Sequence, residues 1–474
     1  MGAGTASHQT LTGRFGGAGT HMIKDIPEPR SRPVPRGRLA RFGQFGRLAG
    51  SVAGGILVDG ARRLAEGERP NVRDLILTPA NFGKLAERLS HLRGAAMKLG
   101  QMISMDAGDF LPVALSQILE QLRDNACHMP DAQLHQVLQR EWGPDWHTQF
   151  EYFDARPIAA ASIGQVHRAV TIDGRELAIK VQYPGVAESI DADVDNVATL
   201  MRISGVLPKG LDITGLLSSA KSQLADEADY GREGEQMALF GRLLADTPQV
   251  VVPTLDTQLS TPRVLAMSFI ESDPIETLET ARRAVRDLAM QTLFRLVLRE
   301  LFEFGVMQTD PNFANYRVER DTGRLVLLDF GAARSVDADT ALAYHSLLGA
   351  SLAGDRDGVL QAALATGFIG TGAVDRHRPR IGQIIDVILG ELNRPGDFDF
   401  GNRRFVGTLR DQGAEIVADR GAWHLPPTDI LFAQRKISGM ALLAARLRAR
   451  VDVKELLKSW SDVGGRPAIS LIVR

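Results

Sequence analysis

The chain has 474 residues, 44% hydrophobic and 24% charged, with a formal net charge of −2. This is the composition of a globular protein with room for two lobes and extensions, and the near-zero charge excludes a nucleic-acid footprint over the whole molecule. A single cysteine, Cys127, excludes an intrachain disulfide or a cysteine-based metal site and fits a reducing compartment. The sequence predicts no transmembrane span, because no apolar run reaches about 18 residues, and no signal-peptide core at its start.

Residues 1–38 are rich in Gly, Pro and Arg and are expected to be a disordered basic segment. Arg14, Lys24, Arg30, Arg32, Arg36, Arg38, Arg41 and Arg47 face only Asp25 and Glu28 in the first fifty residues. Such a head suits an anionic membrane surface or a solvated tail. Residues 39–148 read as a helical extension. Its first helix, 41–64, carries Gly43, Gly46, Gly50 and Gly54 at three- and four-residue spacing. That spacing permits close helix contact, on a membrane or on the protein's own core. Phe82, Leu85, Leu89, Leu92 and Leu99 mark an amphipathic helix over 81–105. Further helices are expected over 115–122 and 132–142, the last one started at Pro130-Asp131.

Residues 149–275 change character and read as a small sheet-bearing lobe. Strands are expected at 150–153, 166–170, 177–181, 250–252 and 264–269, with Asp173-Gly174 turning the second hairpin. Residues 191–201 and 216–243 read as helices. Residues 276–474 read as a helical lobe interrupted by a hairpin at 316–328, turned at Asp321-Thr322-Gly323. The fold class is therefore α+β, a helical extension followed by a two-lobed body.

Met307 to Asn315, followed by Leu328-Asp329-Phe330-Gly331, has the spacing of a kinase catalytic loop and its metal-binding segment. Asp310 and Asn315 keep the D-x-x-x-x-N interval. The hairpin between them and Asp329 returns Asn315 and Asp329 to one place, as a shared Mg²⁺ requires. Lys180 ends the run Leu177-Ala178-Ile179-Lys180, close to the strand that supplies a phosphate-binding lysine. By itself a lysine at a strand end is usually solvated. Its acidic partner should lie on the next major helix, where Glu227 and Glu233 are six apart and point to different faces. The residues alone leave open which of them meets Lys180. Ala159, Ala160, Ala161, Ser162, Ile163, Gly164 and Gln165 stand where a kinase carries a glycine-rich phosphate loop. Alanine still offers backbone N–H groups but adopts positive φ at a cost, so this loop should be stiffer. Lys98 and Gln101, three apart, share one face of the amphipathic helix.

Lys-x-Gly-Gln at 98–101, the alanine-rich loop, Glu-x-Asp at 227–229, Thr-Asp-Pro at 309–311 and Asp-Phe-Gly at 329–331 occur in one order. Over residues 80–340 the chain resembles the UbiB/AarF family of atypical protein-kinase-like ATPases, linked to ubiquinone biosynthesis. The resemblance implies a protein-kinase-like fold with a helical extension over the active site, and ATP and Mg²⁺ as cofactors. It implies that Lys180 binds phosphates and pairs with Glu233, and that Glu227 associates with Lys98. Gln101 and Asp229 would belong to the same extension. Asp310 would be the catalytic carboxylate, and Asn315 and Asp329 the Mg²⁺ ligands. The family's usual His-x-Asp-Pro-His-Pro-Gly-Asn loop is here Gln308 to Asn315, with Asn312-Phe313-Ala314 at its centre, which bears on rate and acceptor preference. The implied function is a slow ATPase that supports quinone or isoprenoid-lipid metabolism at a membrane surface. Lipid or quinone-pathway intermediates, a second copy of the chain or quinone-biosynthesis proteins are the implied partners. The expected place is the cytoplasmic face of an inner membrane, or the mitochondrion in a eukaryote. A lipid or small-molecule phosphotransferase and a nucleotide-gated binding module are the alternatives.

Overall fold

The computed structural model describes residues 128–203 and 214–461, apart from residues 403, 423 and 425. The expectations for residues 1–127 lie outside the described residues. They include the basic segment, the glycine-spaced helix, and the amphipathic helix with Lys98 and Gln101.

In chain order the smaller lobe holds α1 (Asp131–Trp142), β1 (Phe150–Phe153), β2 (Ala159–Ala160), β3 (Gly164–Thr171), β4 (Glu176–Gln182), α2 (Ile190–Ile203), α3 (Thr214–Glu227), α4 (Tyr230–Leu243), β5 (Val250–Val251), β6 (Val264–Ser268) and β7 (Ser272–Pro274). The main sheet is antiparallel, in the order β1-β3-β4-β6, with β2 also on β3. The β3–β4 hairpin turns at Asp173-Gly174, where Gly174 takes a φ of 81° and its N–H donates to Thr171 O at 2.9 Å. Successive side chains of a strand point to opposite faces. Leu177, Ile179 and Val181 of β4 therefore bury against Leu134, Val137 and Leu138 of α1, with Trp146 and Phe150. Ala178 and Lys180 are left to face the other way, towards α4.

The sequence predicts one helix over 216–243, and the structure corrects it to two. Ala228-Asp229 breaks the run between α3 and α4. The Asp229 carboxylate accepts from Arg232 N at 3.0 Å and caps α4. Gln182 Nε2 holds the Ala228 carbonyl at 2.8 Å. Glu227 thus ends one helix and Glu233 lies in the first turn of the next.

The larger lobe continues with α5 (Arg283–Arg299), a wide π-type turn over Glu300–Phe304 and β8 (Val306–Gln308). Then come β9 (Tyr316–Glu319), β10 (Leu325–Leu327), β11 (Ala333–Ser335), α6 (Ala338–Ala353), α7 (Arg356–Ala365), α8 (Thr371–Leu392), β12 (Phe398–Asp399), α9 (Arg404–Ala418), α10 (Thr428–Leu447), β13 (Arg450–Val451) and α11 (Val453–Ser461). β9 and β10 form the predicted hairpin, with Gly323 at φ 71° in its turn. Two strands from the preceding chain complete its sheet, in the order β5-β10-β9-β7. β5 runs parallel to β10, and β7 antiparallel to β9. β8 pairs with β11 in a separate ladder. α8 kinks at His377, two residues before Pro379, whose missing N–H breaks the helical ladder. Around it Leu360, Val374, Ile381, Ile385 and Leu389 form a satellite core. Among the described residues no helix is long and apolar enough to cross a membrane.

One core spans both lobes. Phe240 of α4 stands 5.1 Å from Phe330 and 6.5 Å from Phe304, ring centroid to centroid, and all three are buried. This contact fixes α4 over the segment that carries Asp329. Phe240→Ala is expected to lower the unfolding free energy by about 3–5 kcal/mol, and Phe240→Leu by clearly less. Denaturant midpoints of the two variants against the wild type check this.

Candidate active site

Lys180 lies in the middle of β4, opposite Val166 of β3 and Leu265 of β6, with its side chain buried. Its Nζ donates to both oxygens of Glu233 at 2.8 Å and lies 3.5 Å from Asp329 Oδ2. The Tyr230 ring lies beneath it, 5.0 Å from Nζ. Burial alone would push the Lys180 pKa down. The carboxylates of Asp329 and Glu233 outweigh it, and the ammonium is held well above its usual value. Burial pushes the Glu233 carboxyl up, and against the pull of Lys180 it reaches about 7.

Glu227 is also buried, and its Oε2 accepts from Ser162 Oγ at 2.7 Å. Gly331 shows how closely the acids converge. A Cβ on it would lie 3.4 Å from Asp329 Oδ1 and 3.5 Å from both Glu227 Cα and Glu233 Oε2. Arg232, beside Glu233, donates to the carbonyls of Gly331 at 2.8 Å and of Ala333. This ties the start of α4 to the backbone that follows Asp329.

Residues 159–165 form a closed hairpin. Ala159 and Ala160 pair with Val166 and Gln165, and Ala161 N donates to Gly164 O at 2.9 Å. Ile163 is buried, and its carbonyl accepts from Tyr183 N at 2.9 Å. Gly164 cannot be replaced without movement, because a Cβ would meet Val181 O at 2.5 Å and Tyr230 Oη at 2.6 Å. The Gln165 side chain leaves the loop. Its Oε1 accepts from Met129 N at 2.8 Å, and its Nε2 stands 2.9 Å from His167 Nε2.

Residues 309–315 are held by the two ladders of the larger lobe. Leu328 N donates to Asn315 O at 3.1 Å, which sets Asn315 beside the start of the Asp329 segment. Thr309 Oγ1 donates to Ala332 O at 2.8 Å. Within the loop, Asp310 Oδ1 accepts from Asn312 N at 3.3 Å, and Asn315 Nδ2 reaches Asp310 O at 3.4 Å. Asn312 Oδ1 accepts from Ala314 N at 3.2 Å and stiffens the altered centre.

Lys180, Glu227, Glu233 and Asp329 are therefore gathered into one place, joined by Ser162. Asp310 and Asn315 lie on the loop beside Asp329. Lys98 and Gln101 are outside the described residues. Asn315 and Asp329 supply hard oxygen donors that fit Mg²⁺, which takes one or two protein oxygens and completes its shell with phosphates and water. Among the described residues no group of three or more His, Cys, Asp or Glu forms a closed metal cage. Sequence reading missed Arg232, Tyr230, Glu300 and Lys436. Only Arg232 and Tyr230 carried a signal, as neighbours of Asp229 and Glu233.

The ABC1 atypical kinase-like domain matches residues 121–363. The mitochondrial atypical kinase coq-8 of Caenorhabditis elegans is 37% identical over 447 residues, 91% of this chain and 58% of that one. The mitochondrial atypical kinase COQ8 of Saccharomyces cerevisiae is 34% identical over 434 residues, 90% of this chain and 86% of that one. The mitochondrial atypical kinase COQ8B of Rattus norvegicus is 37% identical over 454 residues, covering 92% and 84%. Among solved structures, the Rv3197–erythromycin complex from Mycobacterium tuberculosis aligns with a TM-score of 0.57 at 25% identity, covering 81% of this chain and 96% of that one.

A carboxyl raised to about 7 protonates on the acid side of neutrality and there releases its hold on Lys180. Affinity for a fluorescent ATP analogue should therefore fall as pH drops through about 7. Glu233→Gln should be weaker at high pH and lose this step. The nucleotide's own phosphate titration is common to both proteins and cancels in the difference curve.

Proposed function

The chain belongs to the ABC1 atypical kinase-like family, also called UbiB, and we propose that it binds Mg²⁺-ATP and hydrolyses it slowly in support of ubiquinone or isoprenoid-lipid metabolism at a membrane surface. The observation that carries this reading is the buried junction of Lys180 with Glu233 and Asp329. It combines a phosphate-binding cation, the helix that orients it and a metal carboxylate.

Phosphoryl transfer asks for positioning and charge neutralisation rather than covalent help. Lys180 binds the phosphates, held in one rotamer by both oxygens of Glu233. The hairpin at 159–165 covers them, with Gly164 kept small so that the backbone stays close to Val181 and Tyr230. Asn315 and Asp329 would hold Mg²⁺, and the bound ion would offset charge on the phosphates. Asp310 accepts a proton from the attacking water as the bond to the terminal phosphorus forms and ADP leaves. The relatives' names place them in mitochondria. For this chain the reading is a peripheral seat on an inner membrane, mitochondrial in a eukaryote and cytoplasmic in a bacterium. Quinone-pathway lipids, quinone-biosynthesis proteins or a second copy of the chain are its partners there.

The decisive assay is ATP binding and turnover on the full chain with Mg²⁺, with and without anionic vesicles and a quinone-like phenol. Turnover is expected to rise with vesicles. Lys180→Ala and Asp329→Asn should abolish nucleotide binding or weaken it at least tenfold, about 1.4 kcal/mol. Asp310→Asn should keep binding and lower kcat by about 10²–10⁴-fold. Full turnover in Asp310→Asn would remove that residue from the chemistry. ATP-dependent phosphorylation of the phenol or a lipid would select a phosphotransferase. Tight binding without turnover in any condition would select a nucleotide-gated binding module.

A further inference from the structure

Behind the catalytic loop lies a buried charge network that the proposed reaction does not use. Lys436, on α10, is 1% exposed, and Glu300, at the end of α5, is 0% exposed. Lys436 Nζ donates to Tyr316 Oη at 2.8 Å and to Gln308 Oε1 at 3.0 Å, and lies 3.5 Å from Glu300 Oε2. Glu300 Oε1 accepts from the backbone N–H of Gln308 at 3.3 Å. Gln308 precedes Asp310 by two residues, and Tyr316 follows Asn315 directly. The network thus grips the loop at both ends.

A second contact on the same helix holds the loop in the middle. Gly439 lies one turn beyond Lys436. A Cβ there would overlap Pro311 Cβ and come within 2.9 Å of its Cγ. The α10 backbone therefore rests directly on the residue after Asp310. Packing alone does not call for the charges. Met440, Leu443, Ala444 and Leu447 of α10 already join the main core. Removing two ions from water costs several kcal/mol each, and an apolar pair of similar volume is often as stable or more so. Burial raises the Glu300 pKa. It works to lower that of Lys436, but Glu300 and Tyr316 outweigh it and hold the ammonium above its usual value.

We propose that Lys436, with Glu300, is a positioning residue for the catalytic loop: by holding Gln308 and Tyr316 it presents Asp310 and Asn315 at a fixed height, while Gly439 seats Pro311. This rests on the reading of Asp310 as the base. The nucleotide half of the site is anchored elsewhere, through Lys180 and Glu233. Loosening the loop should therefore lower the chemical step by more than it weakens ground-state binding, which the loop touches only through Asn315. A misplacement of about 1 Å costs roughly 10²-fold in rate.

The test compares three full-length proteins: wild type, the charge-neutral double variant Glu300→Gln/Lys436→Met, and Gly439→Ala, which keeps the network but presses on Pro311. Each is assayed for kcat and KM with Mg²⁺-ATP and for amide exchange over residues 306–316. Both variants are expected to lose roughly tenfold to a hundredfold in kcat, with a smaller rise in KM through Asn315 and faster exchange in the loop. Wild-type kcat in a folded variant would overturn the proposal. So would a rise in KM that accounts for the whole loss in kcat/KM. If the double variant does not fold, Gly439→Ala decides by the same criteria. A wild type that binds ATP without any turnover removes the catalytic reading itself, and this proposal with it. That result is distinct from an active wild type with equally active variants.

Discussion

The ion pair between Lys180 and Glu233 is the constraint on which the rest of the site depends. Both groups are out of water, which costs several kcal/mol per ion unless the partners meet well. Here both Glu233 oxygens are within 2.8 Å of Nζ, and Asp329 and the Tyr230 ring add to the attraction. The pair can persist only if β4, α4 and the segment after β10 arrive at one point. Each is brought there by a separate local rule. The alternation of β4 turns Lys180 away from the α1 side of the sheet. The Asp229 cap starts α4 so that Glu233 falls in its first turn. Arg232, one residue earlier, takes the carbonyls on either side of Ala332 and so fixes the Asp329 segment against the same turn.

The alanine-rich loop follows from that crowding. A glycine-rich loop owes its reach to flexible φ angles, and this one has its own ladder instead. Its Ser162 is spent on Glu227, and its carbonyl at Ile163 on Tyr183. Only Gly164 is pinned by space, between Val181 O and Tyr230 Oη. Residues 159–165 are therefore held by their own ladder and by Glu227 and Tyr183, close to Lys180 and Glu233.

Local chemistry made some of this legible in the sequence and long-range pairing hid the rest. Asp173-Gly174 and Gly323 have short-range turn signals, so both hairpins, and the joining of Asn315 to the Asp329 segment, could be read directly. Glu233 could be offered as the lysine's partner only alongside Glu227, because the period of 216–243 looks continuous. What interrupts it is a cap, and Asp229 sits among acidic residues that look like a solvated helix face. The strand at 250–252 was readable as a strand, but its parallel partner β10 lies more than seventy residues away, and nothing local says so. Lys436 is the harder case. Arg435-Lys436 in an amphipathic helix reads as a polar face, whereas both are buried. Their burial is decided by what α10 packs against.

The two halves of the site are supported from opposite sides, and this bears on what the molecule can do. The Lys180 side hangs on a sheet and one helix of the smaller lobe, tied to the Asp329 segment through Arg232. The other side is the short loop 308–316, whose centre, Asn312 to Ala314, is braced by an internal turn of its own. In an ordinary kinase the lysine–glutamate pair is assembled by moving a helix, and that movement is the switch. Here the pair is made, and Arg232 ties the start of α4 to the backbone after Asp329. Residues 308–316, on the other side, carry the proposed base. Those are the residues that Lys436, Glu300 and Gly439 reach from behind.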